Sequence, residues 1–310
     1  MFFPENDSDS LISNQGLLAQ NLWKRLNPHS WPIRITDLPA GTALVGGSIR
    51  DGLLDRLSQK PDLDFVVKDK AIELVQYLAK KINGTCVVLD QERDIARLVV
   101  DGWSLDFARQ VGRSLEDDLR RRDFRLNAIG LTFHAGPKLL DPTGGIEDLR
   151  GKIIVSIHKK NLIEDPLRLL RAFRLMAELN FSLEANTQNS IISQAHLLRN
   201  VACERIKTEI LKIVRSKFAD SVLPILKKSL LLETWQSYDK FALDLPSIIA
   251  LKDFNSDELL IALPLARLIS LLSQKGLSEL SFSKNHINRC RVLRLWQHQY
   301  DGLAFKTLSE

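Results

Sequence analysis

The chain has 310 residues, 45% of them hydrophobic, which is the composition of a globular protein long enough for two or three domains. There are 43 Lys and Arg against 38 Asp and Glu, and the net charge of +5 favours a polyanionic partner without requiring one. The three cysteines form no C-x-x-C pair and have no His at metal-ligand spacing, which excludes a sequence-evident zinc motif and indicates reduced thiols.

The amino terminus, MFFPENDSDS, carries acids where a signal peptide carries positive charge, and no apolar stretch follows it. We therefore expect a cytoplasmic protein whose residues 1–25 form a mobile end. The most apolar run, Leu259 to Leu272, is shorter than a bilayer requires and contains Pro264 and Arg267. It predicts a core helix, so no membrane contact is expected.

Strand-like and helix-like patterns alternate through the first half of the chain. TALVGG, DFVVKD, TCVVLD, IARLVVDG and WSLDFAR predict strands, and KAIELVQYLAKKI predicts a helix. A cluster of Pro142 with three glycines predicts turns that close this mixed α/β domain. Beyond Asn161 the apolar residues keep helical spacing almost to the end of the chain, which predicts an all-helical second part.

The segment VGGSIRD places Gly46 and Gly47 between a predicted strand and a predicted helix start. Glycines let backbone N–H groups approach a phosphate, and a helix start adds partial positive charge there. A simple turn also uses Gly-Gly, and that is the commoner case. Arg50 moves the balance towards phosphate, because its donors suit phosphate oxygens.

Asp62 and Asp64 are two residues apart in a predicted strand, so both side chains leave the same face of the sheet. Two carboxylates on one face repel each other unless a cation lies between them, and Mg²⁺ prefers such oxygen ligands. The alternative is a solvated pair at the entrance of a strand. Asp106, in SLDFAR, is a candidate third carboxylate, although a turn role is equally consistent with its position.

The segment SLEDDLRRRDFRLNAIG contains three consecutive arginines, which usually form a solvated basic face. Asp123, Phe124 and Asn127 follow at once in an apolar context, so part of the segment must turn inward. Together, the Gly-Gly loop, the Asp-x-Asp strand and this segment predict a nucleoside triphosphate site with its metal ions.

These strings occur in the order of a known motif set. LVGGSIRD, DLDFVV, RRRDFRLNAI, DPTGGIEDLRGK, EDPLRLLRAFR and ERIKTEILKI, within residues 40–215, resemble the class II tRNA nucleotidyltransferase and bacterial poly(A) polymerase family. The resemblance implies an α+β fold, with a nucleotidyltransferase head of mixed sheet and flanking helices over residues 26–155. A helical neck over 156–220 and an RNA-binding body and tail over 221–310 would follow.

The family's site residues carry over to matching positions. The resemblance implies that Asp62 and Asp64 bind two Mg²⁺ ions, with Asp106 as a further catalytic carboxylate. The implied activity is template-free addition of nucleotides to the 3′ end of tRNA. The residues implied for the triphosphate and ribose are Gly46, Gly47, Arg50, Arg121, Arg122, Asp123 and Asn127. Of these, Arg122 is the preferred phosphate contact.

The segment EDPLRLLRAFR has the acids and proline of an ordinary helix start, with Leu167, Leu170 and Phe173 spaced for the core. In the resembling family this segment reads the base, so Asp165 and Arg168 would pair with cytosine or adenine. Arg171 and Arg174 would support the site or touch phosphate. Glu204, Arg205 and Glu209 resemble the motif that braces the neck.

The choice among family members depends on a short link. QVGRS stands where enzymes that complete CCA carry a longer flexible loop, so we expect transfer of CMP from CTP and a separate A-adding enzyme as partner. ATP remains open as a second substrate. A bacterial poly(A) polymerase is the nearest alternative, and an inactive RNA-binding homologue is a further one. Five basic residues of the helical part are expected to grip RNA, namely Lys227, Lys228, Arg289, Arg291 and Arg294.

Overall fold

A computed structural model describes residues 11–237 and 256–299. The chain divides into two compact units, Met1–His158 and Lys159–Glu310. The first contains a mixed sheet with helices, and the described part of the second is mainly helical. The predicted α+β class, a mixed-sheet domain with helices followed by a helical region, is confirmed.

The first unit is built on a seven-stranded sheet in the order β3-β4-β5-β2-β1-β6-β7. The strands predicted from alternation are all present, and two short ones follow them. Among the described pairs, β2 and β5 run parallel and the others run antiparallel. The bounds are β1 (Ala43–Val45), β2 (Leu63–Val67), β3 (Thr85–Asp90), β4 (Ile95–Val100), β5 (Trp103–Arg109), β6 (Gly130–Thr132) and β7 (Lys138–Leu140).

The helices of this unit are α1 (Leu11–Leu26), α2 (Gly47–Leu53), α3 (Ala71–Ile82), α4 (Leu115–Arg120) and α5 (Gly145–Gly151), and a short strand β8 (Ile153–Ile154) ends it. The expectation of a mobile end over residues 1–25 is corrected for the part that forms α1. Ala19 and Leu22 are buried, and the Trp23 ring stacks on Phe133 at 5.2 Å. Apolar residues at helical spacing explain this packing. Residues 1–10 lie outside the described residues.

A second difference concerns the Pro142 and glycine cluster, where turns alone were expected. The Asp141 carboxylate accepts hydrogen bonds from the backbone N–H groups of Gly145 and Ile146, both at 2.8 Å. Asp141, three residues before the N-cap Gly144, thus accepts from two backbone N–H groups that have no partner within the helix, and α5 begins there.

Strand alternation decides which face of the sheet is buried. Leu63, Phe65 and Val67 of β2 are almost fully buried on one face, where the Phe65 ring stacks on Phe107 at 4.8 Å. Successive side chains of a strand point to opposite faces, so Asp64 lies on the other face. β2 therefore places Asp64 on the sheet face opposite the one that carries Leu63, Phe65 and Val67.

The second unit contains eight described helices and a short strand, β9 (Ser182–Leu183). Leu167, Leu170 and Phe173 are buried as predicted. The helix containing them begins at Leu167, after a break at Asp165 and Pro166, so the acids expected in its first turn lie before it. The bounds are α6 (Lys159–Glu164), α7 (Leu167–Leu179), α8 (Ala185–Gln194), α9 (Cys203–Arg215), α10 (Ala219–Lys228), α11 (Ser256–Leu271), α12 (Gln274–Glu279) and α13 (Lys284–Gln299).

The apolar run that was predicted to be a core helix is part of α11, in which Leu268, Ile269 and Leu271 are buried. Across the described ranges, no helix combines the length and apolar character needed to cross a membrane.

Candidate active site

The Gly46–Gly47 turn joins β1 to α2 and brings the backbone close to an acid. Gly46 has φ +80° and ψ −139°, a conformation that L side chains rarely adopt. A β-carbon built there would lie 2.9 Å from Oδ2 of Asp64 and 3.5 Å from Nη1 of Arg122. The turn therefore groups three predicted site residues, Gly46, Asp64 and Arg122, around one point.

The acids of the sheet belong to a row of side chains that crosses neighbouring strands. Asp64 pairs in register with Val45 of β1 on one side and with Asp106 of β5 on the other. Asp106 pairs with Arg97 of β4, and Arg97 pairs with Val87 of β3. Directly paired residues point to the same face, so the two acids and the arginine share one surface.

The face that carries this row is covered by apolar side chains over β1 and β2 and is open to solvent over β4 and β3. Over β1 and β2, Val45 and Val66 pack in an apolar cluster with Leu119 of α4. Over β4 and β3, Val99 and Val87 are 40% and 42% exposed. Asp64 thus lies where the cover ends and solvent access begins.

Asp62 lies immediately before β2 and is exposed, whereas Asp64 is partly buried. Both carboxylates interact electrostatically with the Arg97 guanidinium, which supports their predicted orientation towards a common side. The described residues contain no group of three or more His, Cys, Asp or Glu placed to hold a metal ion. A metal at this point would draw its protein ligands from the two carboxylates, and oxygen donors of this kind suit Mg²⁺.

Arg97 is the functional candidate that sequence reasoning missed. Its Nε and Nη2 donate to the two Asp106 carboxylate oxygens at 2.6 and 2.8 Å. The hydrogen bond that Arg97 donates to Asp106 raises the pKa of the Arg97 guanidinium, and the charges of Asp106, Asp62 and Asp64 act in the same direction. A charged residue in the alternating strand IARLVV was the available signal, but only the strand register shows which acid it faces.

Arg50, which was predicted to hold the triphosphate, is buried in a polar network. Its Nε and Nη2 donate to the carboxylate of Asp51 at 3.0 and 2.9 Å, and its Nη1 donates to Oδ1 of Asn127 at 2.8 Å. The Asn127 amide donates in turn to Asp123 at 3.1 Å. Arg50, Asp123 and Asn127 are each 5–6% exposed. This network links α2 to the segment after α4, behind the glycine turn.

The segment that contains the arginine run forms α4 and the turn after it. Arg121 is exposed, while Arg122 is partly buried and pairs with Asp118 at 3.3 Å. Arg122 is thus the arginine of this run that lies beside Gly46.

In the second unit, the predicted base-reading residues are held by specific partners. The carboxylate of Asp165 accepts hydrogen bonds from Nη2 of Arg205 at 3.0 and 3.2 Å. Arg168 donates from Nη1 to the backbone carbonyl of Asn161 at 2.9 Å. Both groups are therefore oriented, and both remain partly exposed.

Arg174 joins two helices of this unit. Its Nη1 lies 2.9 Å from Oε1 of Glu209 on α9, and its side chain is 12% exposed while that of Glu209 is 5% exposed. Its Nε lies 3.4 Å from Glu178. Arg174 therefore has the geometry of a structural clamp, whereas Arg171 is half-buried on α7.

The predicted RNA-gripping residues are not equivalent. Arg294 donates to the side chain of Gln274 at 2.9 Å and to the backbone carbonyl of Leu272, so it caps the end of α11. Burial lowers the pKa of the Lys227 ammonium. Lys228 and Arg289 remain exposed or half-exposed on α10 and α13.

Two family models match the chain. A poly A polymerase head domain matches residues 42–155, and a probable RNA and SrmB-binding site of polymerase A matches residues 180–237. The first match includes the glycine turn, the acids and the arginine run, and the second begins after α7.

Curated relatives match somewhat more than half of the chain. A CC-adding tRNA nucleotidyltransferase from Synechocystis is 43% identical over 178 residues, which cover 57% of this chain and 42% of that protein. An A-adding tRNA nucleotidyltransferase from Deinococcus radiodurans is 38% identical over 183 residues, which cover 57% of this chain and 41% of that protein. The matched region thus spans less than half the length of these relatives.

A solved structure matches more of the chain. It is a tRNA nucleotidyltransferase crystallised with a primer tRNA and an incoming ATP analogue, 27% identical in sequence, with a TM-score of 0.72. The match covers 87% of this chain and 84% of that one.

Proposed function

We propose that this chain, which belongs to the class II tRNA nucleotidyltransferase and bacterial poly(A) polymerase family, transfers CMP from CTP to the 3′ end of tRNA without a template. The observation that carries this proposal is the grouping of Gly46, Asp64 and Arg122 where the apolar cover over the sheet ends. The cytoplasmic location expected from the sequence also stays a prediction.

Enzymes of this family use a divalent metal ion, and we propose Mg²⁺ for this chain. Asp62 and Asp64 would hold it, because they are two residues apart, the charges of both act on the nearby Arg97, and phosphate oxygens can complete the coordination. When bound, the metal supplies charge neutralisation at the reacting phosphate and acidifies the attacking hydroxyl.

The protein's own residues would position the reactants. Gly46 lets a phosphate approach the backbone, and the adjacent Arg122 guanidinium offers hydrogen bonds to phosphate oxygens. In the reaction, the RNA 3′ oxygen bonds to the α-phosphorus, the bond to pyrophosphate breaks and pyrophosphate leaves, and the hydroxyl proton passes to solvent. Arg50 and Asn127 contribute indirectly in this scheme, because their buried hydrogen bond fixes α2 and hence the glycine turn.

Base choice is proposed to rest on Asp165 and Arg168, as the family resemblance implies. A carboxylate acceptor and a guanidinium donor together complement the Watson–Crick edge of cytosine or adenine and leave uracil or guanine with unmatched groups. An unmatched buried polar group costs roughly 1–3 kcal/mol, which is enough for useful discrimination. Arg205 supports this role by holding the Asp165 carboxylate.

The geometry of the short link supports CC addition. The backbone N–H of Val111 donates to Asp118 at 3.0 Å, and that of Arg113 donates to Asp117 at 2.9 Å. Gly112 has φ +97° and packs against Asp117, which also takes part in a capping box with Ser114. A link tied by both acids has little freedom to reshape a pocket from cytosine to adenine. A separate enzyme would then add the terminal A.

The test is incubation of the purified protein with Mg²⁺ and tRNA that lacks its CCA end, with labelled CTP or ATP supplied separately. Incorporation of two CMP residues and no AMP supports the proposal. AMP addition after CMP indicates a CCA-adding enzyme, and long AMP tails indicate a poly(A) polymerase. Absence of incorporation by folded protein supports the RNA-binding homologue without activity.

A further inference from the structure

We propose that the open face of the sheet around Arg97, with Val87 and Val99 beside it, is a subsite for the 3′-terminal nucleotides of the RNA primer. Asp106 would serve as the positioning residue that orients Arg97. This inference rests on the proposed function and identifies which part of the head contacts the RNA end.

The order of residues across the sheet gives the first argument. The glycine turn follows Val45, so it lies on the β1 side of Asp64, while Asp106 and Arg97 lie on the β5 and β4 side. Strands are spaced by about 4.8 Å, so Arg97 is roughly 10 Å across the sheet from Asp64. The acids thus separate the glycine turn from the arginine.

The stereochemistry of phosphoryl transfer gives the second argument. Attacking and leaving oxygens lie roughly in line on opposite sides of the phosphorus. If the pyrophosphate leaves towards Gly46 and Arg122, the RNA 3′ hydroxyl must approach from the side of β5 and β4. The terminal phosphodiester of the primer then passes over the surface that carries Arg97.

The chemistry of the surface fits that occupant. The side-on pair with Asp106 uses the Nε–Nη2 edge of Arg97 and leaves its Nη1 side for another acceptor. Arg97 is 42% exposed in its side chain, so a phosphate can reach it. A guanidinium oriented by a carboxylate is suited to a phosphodiester oxygen.

The neighbours of Arg97 supply apolar contact. Val87 lies opposite Arg97 on β3, and Val99 lies two residues further along β4 on the same face. Their exposed fractions are 42% and 40%. A charged donor flanked by two exposed valines matches a nucleotide, whose phosphate is anionic and whose sugar and base present apolar surface.

The experiment compares Arg97→Ala, Arg97→Lys and Val99→Glu with a matched control, Arg93→Ala. Arg93 is an arginine of the β3–β4 turn whose side chain is 80% exposed. Two readouts are needed. One is the pair of KM values for CCA-lacking tRNA and for CTP, and the other is fluorescence anisotropy of the labelled tRNA without nucleotide.

We expect Arg97→Ala to raise both the tRNA KM and the tRNA dissociation constant about ten-fold or more, as loss of a charge-assisted hydrogen bond does. The CTP KM should change less than about two-fold, because the hydrogen bond that is lost is proposed to reach the RNA and not CTP. Arg97→Lys should restore part of the affinity, and Val99→Glu should weaken tRNA binding by charge repulsion. Asp106→Asn should raise the tRNA KM in the same direction, because Arg97 loses its charged anchor.

Unchanged tRNA affinity in folded Arg97→Ala and Val99→Glu, or a rise confined to the CTP KM, overturns the subsite. The subsite is also overturned if the wild type is a dimer and Val99→Glu makes it a monomer without changing tRNA affinity. In that case the face binds a second copy of the chain. The anisotropy readout requires no turnover. If the wild type transfers no nucleotide and Arg97→Ala still weakens tRNA binding, the proposed activity is refuted while the subsite is supported.

Discussion

A β-carbon on Gly46 would lie 2.9 Å from Oδ2 of Asp64. The turn after β1 and the acid of β2 are therefore packed so closely that a hydrogen is the only side chain with room between them. Gly47, the next residue, differs in this respect, because its β-carbon would meet only Nη2 of Arg50, at 3.7 Å.

Gly46→Ala is predicted to lower kcat/KM for CTP by about 100-fold, since displacing a site by about 1 Å has effects of that size. The substitution also forces alanine into a conformation that costs roughly 1–3 kcal/mol. Steady-state kinetics and thermal unfolding measure the two effects. Gly47→Ala is the matched control and should retain most of the activity, and equal losses in the two variants would contradict the packing described.

The buried pair of Arg174 and Glu209 predicts a coupling in stability. Removing one partner, as in Glu209→Gln, should lower the free energy of unfolding by about 1–3 kcal/mol, because Arg174 loses its buried charged partner and keeps only Glu178, at 3.4 Å. The double variant Arg174→Met with Glu209→Leu should lower the free energy of unfolding by less than the sum of the losses in the single variants Arg174→Met and Glu209→Leu. Urea denaturation provides the values.

A control for this cycle is the exposed pair of Lys275 and Glu279, whose side chains are 84% and 38% exposed. Lys275→Ala should change the free energy of unfolding by less than about 0.5 kcal/mol. Strict additivity in the Arg174 and Glu209 cycle would argue that the two helices are not clamped by this pair.

Arg168→Ala is predicted to relax base choice more than it weakens tRNA binding. The preference for CTP over UTP should fall by about ten-fold or more, which corresponds to one unmatched polar group. Arg205→Ala should act in the same direction and less strongly, because it frees the Asp165 carboxylate without removing it. Competition between labelled CTP and UTP measures the ratio, and a drop in tRNA affinity with the ratio intact would exclude Arg168 as the base reader.

Glu184 predicts a pH dependence of stability. Its carboxylate caps α8 by accepting hydrogen bonds from the backbone N–H groups of Asn186 and Thr187 at 2.9 and 2.7 Å. The bond from Asn186 is the largest cause that lowers the pKa of Glu184 in the folded chain. Because the folded pKa lies below the unfolded one, the stabilisation is complete above the unfolded value and is lost as the pH falls through the folded value.

Glu184→Gln should therefore lower the free energy of unfolding at neutral pH by about 1 kcal/mol, the usual cost of a lost cap. The difference from wild type should shrink below about pH 4, near the unfolded pKa of a glutamate. Denaturation at several pH values tests this, with exposed Glu92→Gln as the control. A difference that stays constant down to pH 3 would rule out the carboxylate as the cap.

Much of the fold was predictable because it is local. The strand-like segments TCVVLD and WSLDFAR predicted strands whose bounds match the structure, and helical spacing predicted α3 and α7. What the sequence could not supply was the pairing of distant strands. In the sequence Arg97 is an ordinary arginine, and only the strand register places it opposite Asp106. The burial of Arg50 against Asn127 likewise depends on the packing of α2 against the segment after α4.

The helix α1 is an element that the sequence analysis did not predict. Its polar beginning suggested a mobile end, and the apolar residues that pack it, Ala19 and Leu22, have partners far along the chain. The helical spacing of its apolar residues was a local signal for this helix, but the elements it packs against, β7 and α2, are known only from the tertiary structure.

The most direct test of the central proposal is Mg²⁺-dependent incorporation of labelled CMP into CCA-lacking tRNA by the wild type, Asp62→Ala and Asp64→Ala. Each substitution should reduce the rate by about a thousand-fold or more, since several kcal/mol of metal-borne stabilisation is removed. Circular dichroism and thermal unfolding should remain those of the wild type, because Asp62 is exposed and Asp64 is only partly buried. Near wild-type incorporation by either variant would contradict the assignment of these two carboxylates to the metal.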